Sequence, residues 1–459
     1  MSAALGHVLV VGLGSSGRAA AKYCAARLDD GVDSVLAVDS ASGERQQAVA
    51  EELRALGVTV KLGVQQVDGE YDLAIVSPGI PPHASLAASA RACARESISE
   101  IEFAYRRSTS PWVAVTGTNG KTTTTALVTH LLEWGGIDAT AVGNIGTPAI
   151  EVVERSGPGQ VLVAEVSSFQ LALTSSFHPR VAVLLNITPD HLDWHGSEAA
   201  YASDKARVFA NLGPDDTAVI DVDDPGSAAV VPQVEPRGVH IVRVSRDTAH
   251  AHGATVSGGH LVLETAGGPV RLVAVEQLRI LGPHNVSNAL AASAAAHAMG
   301  VAPADIAEGL KTFSPIEHRL EPVAQLDGVE WFNDSKATNP DATLKAIDSF
   351  QGRPLILLVG GRNKGNDFEP MAAAASGRVR HVVAFGESAD DLARAFRAAG
   401  VDVHQASGLL EAVAAASTLS GPGDAVVLSP ACASFDEFTS YEHRGSVFKT
   451  AVRDMEDGR

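Results

Sequence analysis

The chain has 459 residues, 45% of them hydrophobic and 19% charged, with 35 Lys plus Arg against 54 Asp plus Glu for a formal charge of −19. That length allows about three domains with buried cores, and the composition is that of a globular protein. The acidic balance excludes a duplex-binding protein, which needs a basic footprint, so no nucleic-acid partner is expected. Anionic ligands must be held by local cations and backbone N–H groups.

Residues 1–6 carry no basic n-region, and the apolar run after them is too short to span a bilayer. Both features predict a cytoplasmic chain with no membrane partner. Cys24, Cys93 and Cys432 are too far apart in sequence for a disulfide framework or a metal-ligand pattern and read as small buried hydrophobes.

Residues 7–11 read as a buried strand that runs into the glycine turn Gly12-Leu13-Gly14-Ser15-Ser16-Gly17, with an Ala-rich helix over 18–28 and a second strand over 34–39. This matches the dinucleotide fingerprint G-x-G-x-x-G, with Asp39 at the end of the following strand to hydrogen-bond a ribose. The same cradle suits a UDP-sugar, NAD or no ligand at all. Residues 73–79 form another strand.

After a break near residues 106–111 the strand 112–115 leads into Thr116-Gly117-Thr118-Asn119-Gly120-Lys121-Thr122-Thr123. Glycines let the backbone curl its N–H groups toward an anion, and the next helix adds its positive end. Lys121 would reach the β- and γ-phosphates of ATP, and the Thr122 hydroxyl would bind Mg²⁺. Only Thr118 and Asn119 separate the two glycines, where the usual phosphate loop has four residues.

Strands follow at 161–165 and 181–186, short turn-rich β segments at 239–281, and an Ala-rich helix at 285–299. A third α/β stretch has strands at 354–359, 382–385 and 425–428. Alternating strands and helices predict three tandem α/β domains: 1–109 Rossmann-like and nucleotide-binding, 110–314 phosphate-loop ATPase-like, and 315–459 Rossmann-like. Glu165 closes a strand, where an oxygen ligand suits Mg²⁺. His191, beside a Pro-containing turn, reads from the residues alone more readily as an ordinary hydrogen-bonding loop residue than as a ligand. Tyr201, Lys205 and Phe209 share one apolar helical face, from which a lysine ordinarily snorkels to water.

The ATP loop, Glu165-Val166-Ser167-Ser168-Phe169-Gln170, Asn186-Ile187-Thr188-Pro189-Asp190-His191 and His284-Asn285-Val286-Ser287-Asn288 together resemble the Mur ligase family of amide-forming enzymes. Glu317-His318-Arg319, Asn333-Asp334-Ser335-Lys336-Ala337-Thr338-Asn339, Gly360-Gly361-Arg362-Asn363-Lys364 and Leu428-Ser429-Pro430-Ala431-Cys432-Ala433-Ser434 are similar to its D-glutamate-adding branch. The resemblance implies a ligase that adds D-glutamate to UDP-N-acetylmuramoyl-L-alanine through an acyl phosphate in peptidoglycan precursor synthesis. A Mur-type ligase with another amino-acid acceptor and a nucleotide-dependent oxidoreductase are the alternatives.

It implies that Ser15, Ser16, Asp39, Gly79 and Asn144 bind the UDP-substrate. Gly117–Thr123 with Asn285, Asn288, Arg319, Asp334 and Lys336 would bind ATP, and Thr338, Lys364, Ser434 and Tyr441 would bind D-glutamate. Lys121, Glu165, His191 and Lys205 would form the catalytic set. Two Mg²⁺ ions are implied, one near Thr122 and Glu165 and one held by His191 and a carbamylated Lys205, in a monomer. Tyr441 stands where the family pattern has Phe.

Overall fold

A computed structural model describes residues 4–314, 316–350 and 352–457. Pro315, the expected start of the third domain, lies outside the described residues. The chain falls into two compact units, Met1–Gln277 with Ser287–Lys311, and Leu278–Val286 with Thr312–Arg459. The first unit carries two of the three sheets.

The first sheet holds β1 (Gly6–Val11), β2 (Val32–Asp39), β3 (Thr59–Leu62), β4 (Tyr71–Val76) and β5 (Ala94–Ser99), in the order β3-β2-β1-β4-β5 and parallel throughout. Val8, Leu9, Val10 and Val11 are fully buried, because helices cover both faces of such a sheet. The order reverses between β1 and β4, so the loops after them flank the crevice where α/β sheets bind ligands. The helix expected over 18–28 runs instead over Ser15–Ala25, with Gly14 in extended backbone as its N-cap. It starts early because the turn needs only two residues to leave β1.

The second sheet holds β6 (Trp112–Thr116), β7 (Asp138–Gly143), β8 (Gln160–Glu165), β9 (Val181–Leu184), β10 (Thr217–Asp221), β11 (His240–Ser245), β12 (Gly253–Ser257), β13 (His260–Thr265) and β14 (Gly268–Ala274). Its order is β14-β13-β12-β11-β10-β9-β6-β8-β7, and only the pairings of β12 with β13 and β13 with β14 are antiparallel. The turn-rich stretch expected after residue 239 is that meander, extending the parallel sheet at its edge.

Tyr105, Trp112 and Phe177 pack edge to face beside this sheet, with Trp112 and Phe177 ring centroids 5.7 Å apart. Next to them the buried carboxylate of Glu102 accepts from Arg106, from the N–H groups of Ser175, Ser176 and Phe177, and from the Ser176 hydroxyl. Burial pushes its pKa up, but those bonds outweigh burial and hold it below the ordinary carboxylate value.

Glu100 lacks that compensation. One oxygen accepts from the Ile150 N–H at 2.7 Å and the other is buried without a partner. Burial pushes its pKa from 4.5 up to about 7. A carboxyl held protonated in the fold stabilises it most below the unfolded value of 4.5, and that increment is lost as pH rises through about 7. Glu100→Gln keeps the acceptor for Ile150 and carries no charge. It is expected to leave thermal stability unchanged at pH 5 and to raise it at pH 8, by no more than about 3 kcal/mol. Calorimetric melting at the two pH values checks this, and equal shifts at both would refute it.

The third sheet lies in the second unit. It holds β15 (Glu321–Leu326), β16 (Val329–Asn333), β17 (Leu355–Gly360), β18 (His381–Phe385), β19 (Asp402–Gln405) and β20 (Ala425–Ala431), in the order β15-β16-β20-β17-β18-β19. All pairings are parallel except β15 with β16. The strand expected at 425–428 continues to Ala431. Among the described residues no helix is long and apolar enough to cross a membrane. All three cysteines are free, and burial pushes the Cys24 thiol up to about 12 and Cys432 to about 11.

Candidate functional site

Three neighbouring strands of the second sheet, β9, β6 and β8, end side by side. Beyond β6 comes the loop Gly117–Gly120, at the end of β8 sits Glu165, and beyond β9 runs the segment 186–191. Chain order scatters these residues over some seventy positions, and parallel pairing collects them.

The loop is braced from beneath. Asn186 lays its side-chain amide against Asn119, accepting from the N–H at 2.8 Å and donating to the carbonyl at 3.1 Å. The Thr118 N–H donates to the Asn186 carbonyl at 2.9 Å. The Thr118 hydroxyl lies 3.1 Å from the Thr188 carbonyl and 3.0 Å from both the Thr188 N–H and the Tyr201 hydroxyl. The N–H groups of Thr118 and Asn119 are thus committed within the protein, which shifts the phosphate cradle toward Gly120 and the start of the helix Lys121–Trp134. Asn186 and Tyr201 received no role from the sequence. Asn186 lay inside a motif already singled out, but its pairing with Asn119 joins residues 67 apart.

Gly120 adopts φ +84°, and a Cβ there would meet Asn288 Oδ1 at 2.5 Å. Gly120→Ala therefore combines a left-handed backbone with a clash. The backbone strain alone is about 1–2 kcal/mol, so ATP affinity is expected to fall about ten-fold or more in nucleotide titrations. Wild-type affinity in this variant would show that the loop does not receive the nucleotide.

Two lysines converge on one carbonyl. Lys121 Nζ donates to the Gly117 and Thr118 carbonyls at 2.8 and 2.9 Å, and Lys205 Nζ donates to the same Gly117 oxygen at 2.8 Å. Lys205 does not snorkel: it is 1% exposed, with Tyr201 and Phe209 buried beside it. Its helix, Glu198–Ala206, passes into a 3-10 turn at Arg207–Phe209 and carries this face inward. Burial, and then the neighbouring Lys121, lower the Lys205 pKa well below its ordinary value.

Glu165 is 3% exposed. Asn144 donates to Oε1 at 2.8 Å, while Oε2 is buried and has no hydrogen-bond partner. A buried carboxylate oxygen left without a partner suits a hard cation, and Thr122, also buried, lies in the first turn of the helix that follows the loop. These residues fit a Mg²⁺ ion. His191 takes a left-handed backbone, φ 51°, and is exposed, with its ring edge-on to Phe169 at 4.8 Å.

At the first sheet, Asp39 braces the glycine turn: its oxygens accept from the Leu13 and Ala41 N–H groups at 2.7 and 2.8 Å. Each oxygen keeps a lone pair for a ribose hydroxyl. A Cβ at Gly17 would lie 1.8 Å from the Gly12 carbonyl, which accounts for that glycine by close packing. Ser15 and Gly79 are exposed and Ser16 half-buried on the rim of the crevice.

The second unit repeats the device. Adjacent strands β16, β20 and β17 end at Asn333, Ala431 and Gly360, and so collect Asp334, Lys336 and Thr338, then Ser434, then Lys364. Asp334 is buried, accepts from Ser429 Oγ at 2.8 Å and the Leu320 N–H at 3.2 Å, and is pushed by burial up to about 7. Lys336 Nζ sits 5.4 Å over the Tyr441 ring. Ser434 is buried and Lys364 exposed. Arg444, fully buried, donates to Ser335 and to the carbonyls of Gly360 and Cys432, tying the three strand ends together. It was not singled out in the sequence. The helix Pro283–Ala298 contributes Asn285 to this unit, where its side chain donates to the Leu281 carbonyl at 2.7 Å, and Asn288 to the first.

A glycine loop at a strand–helix junction, an invading lysine and an orphaned carboxylate on the next strand define a phosphate-loop nucleotide-binding α/β protein. Comparison with known proteins narrows this class. A Mur ligase middle-domain model matches residues 115–296, and a Mur ligase glutamate ligase domain model matches 318–432. The UDP-N-acetylmuramoylalanine–D-glutamate ligase of Pelotomaculum thermopropionicum is 45% identical, covering 98% of each chain. That of Frankia casuarinae is 44% identical over 98% of this chain and 94% of the relative. In fold, the chain is similar to the UDP-N-acetylmuramate-alanine ligase of Thermotoga maritima, with a TM-score of 0.59 at 20% identity, covering 99% of this chain and 100% of that one. MurF from Acinetobacter baumannii gives 0.62 at 18% identity, with 92% and 90% covered. The chain belongs to the Mur ligase family.

Proposed function

We propose that this ligase uses ATP to join D-glutamate to UDP-N-acetylmuramoyl-L-alanine in peptidoglycan precursor synthesis. The observation that carries this reading is the orphaned, buried Glu165 Oε2 beside a loop on which Lys121 and the buried Lys205 converge. That set suits phosphoryl transfer to a carboxylate, and identity to the D-glutamate ligases along the whole chain favours this acceptor.

In the first step a substrate carboxylate oxygen attacks the γ-phosphorus of ATP, the bond to the β-phosphate oxygen breaks, and ADP leaves. In the second, the D-glutamate amine attacks the acyl carbon. The bond to phosphate breaks and the nitrogen gives up its proton to solvent. Carboxylate oxygen is a poor leaving group and phosphate a good one, which is why ATP is needed.

Lys121 swings from the loop carbonyls onto the β- and γ-phosphates and neutralises charge that develops there. Gly117–Thr123 and Asn288 line the phosphates. Asn285, Arg319, Asp334 and Lys336 are the further residues assigned to the nucleotide. Ser15, Ser16, Asp39, Gly79 and Asn144 orient the UDP moiety and sugar, and Thr338, Lys364, Ser434 and Tyr441 hold D-glutamate.

Thr122 and Glu165 would hold one Mg²⁺ and His191 and Lys205 a second, supplying charge neutralisation at the transferring phosphoryl group. An ammonium cannot ligate a metal. An unprotonated amine is the form that adds CO₂, and burial favours that form of Lys205; the product would be a carbamate with oxygen donors, with one proton released. Residues 1–109, 110–314 and 315–459 serve as UDP-substrate, ATP and amino-acid domains of a cytoplasmic monomer.

Phosphate release from ATP with UDP-N-acetylmuramoyl-L-alanine tests the reading. It is expected to require D-glutamate and to be absent with L-glutamate. Release with another amino acid moves the acceptor within the family, and no release with any acceptor refutes the ligase reading.

A further inference from the structure

The reading above uses His191 and leaves His195, one helical turn on, without a role. Yet His195 is the better-held residue: its side chain is fully buried, at 0% exposure. Nδ1 pairs with Asp204 Oδ2 at 2.8 Å and Nε2 with Ser168 Oγ at 3.0 Å. Its ring stacks on Phe169 at 5.5 Å with 15° between planes, and meets the Tyr201 ring edge-on at 5.1 Å.

Each partner adjoins a residue of the metal reading. Asp204 directly precedes Lys205, and Ser168 follows Glu165 by three positions. Phe169 also packs against His191, with centroids 4.8 Å apart. Tyr201 lies under Lys205 Nζ at 4.6 Å. His195 is thus the one side chain among these that joins the segment after β8, the short helix Leu192–His195 and the helix Glu198–Ala206.

The polar order Ser168–His195–Asp204 is also that of a hydrolase triad, but Ser168 is 2% exposed and presents no nucleophile to a substrate. A buried chain of this kind orients. Asp204 fixes the proton on Nδ1, which leaves the Nε2 lone pair to accept from the Ser168 hydroxyl. Both ends of the ring are then locked, and with them the separation of the strands and helices that carry the ligands. Residues that orient metal ligands in this way alter metal affinity about 10–100-fold when removed.

We propose that His195 is a positioning residue that keeps Glu165, His191 and Lys205 in register as a two-metal constellation, an inference that rests on the reading of those three as metal ligands. The test is Mn²⁺ binding, followed by electron paramagnetic resonance, to the full chain with a non-hydrolysable ATP analogue. The wild type is expected to bind two ions. His195→Phe keeps the ring packing but loses both hydrogen bonds, and should bind one ion at least about ten-fold more weakly, at a melting temperature lowered by the unpaired Ser168 and Asp204 groups but still above that of the assay. Asp204→Leu should behave likewise and carries the comparison if His195→Phe does not fold. Asp204→Asn, whose amide oxygen still accepts from Nδ1–H, should restore wild-type binding. Two ions bound with wild-type affinity by both His195→Phe and Asp204→Leu would overturn the positioning role. A wild type that binds fewer than two ions overturns the metal reading itself.

Discussion

Lys121→Ala is expected to remove phosphate release from ATP almost completely, by about 10²–10³-fold or more in kcat, while the melting temperature barely moves. The side chain is half-buried and donates to two carbonyls of its own loop, at 2.8 and 2.9 Å. Losing such bonds costs about 1 kcal/mol or less where water can reach the carbonyls. The charge is different in kind. When phosphate arrives, Lys121 is the ammonium already on the loop, and alanine leaves the charge developing on the γ-phosphoryl oxygens without it. Steady-state phosphate release and thermal melting on the same preparation check both halves. Undiminished turnover would remove Lys121 from the mechanism, and a collapse in melting temperature would make its role structural.

Lys205→Met is expected to separate function from stability still more sharply. Methionine has nearly the length of lysine and no polar atom to bury. Lys205 donates a hydrogen bond to the Gly117 carbonyl, which Lys121 also serves, so the carbonyl keeps a donor. A change in stability within about 1 kcal/mol follows. Activity should nevertheless fall about 10²–10³-fold, because no oxygen donor can form at this position. The wild type incubated with ¹³C-bicarbonate should show a carbamate resonance that Lys205→Met lacks. Full activity in the methionine variant would show that Lys205 fills space and ligates nothing.

Much was legible in the sequence because it depends on local chemistry. Glycines at 117 and 120 followed by Lys121 and Thr122 announce a strand–turn–helix junction for an anion, whatever the rest of the chain does. Strand and helix periods placed the three α/β stretches, and the Gly12–Gly17 turn and Asp39 identified the crevice of the first sheet. Boundaries moved by a few residues where caps decided them, as at Gly14. Resemblance supplied the roles proposed for residues that patterns could not assign, such as His191 and Thr338.

What remained required pairing across the chain. Lys205, read by helical periodicity as a snorkelling lysine, is instead sealed inside, where Gly117 in the loop after β6 accepts its hydrogen bond. The engagement of Thr118 and Asn119 by Asn186 and Tyr201, the orphaned oxygen of Glu165, and the Ser168–His195–Asp204 chain all join residues distant in sequence. Residue type and spacing fix what a segment can do along its own length. Which side chains share a low-dielectric interior, and so which amine has its pKa lowered and which carboxylate oxygen is left without a partner, is decided only when the strands lie side by side.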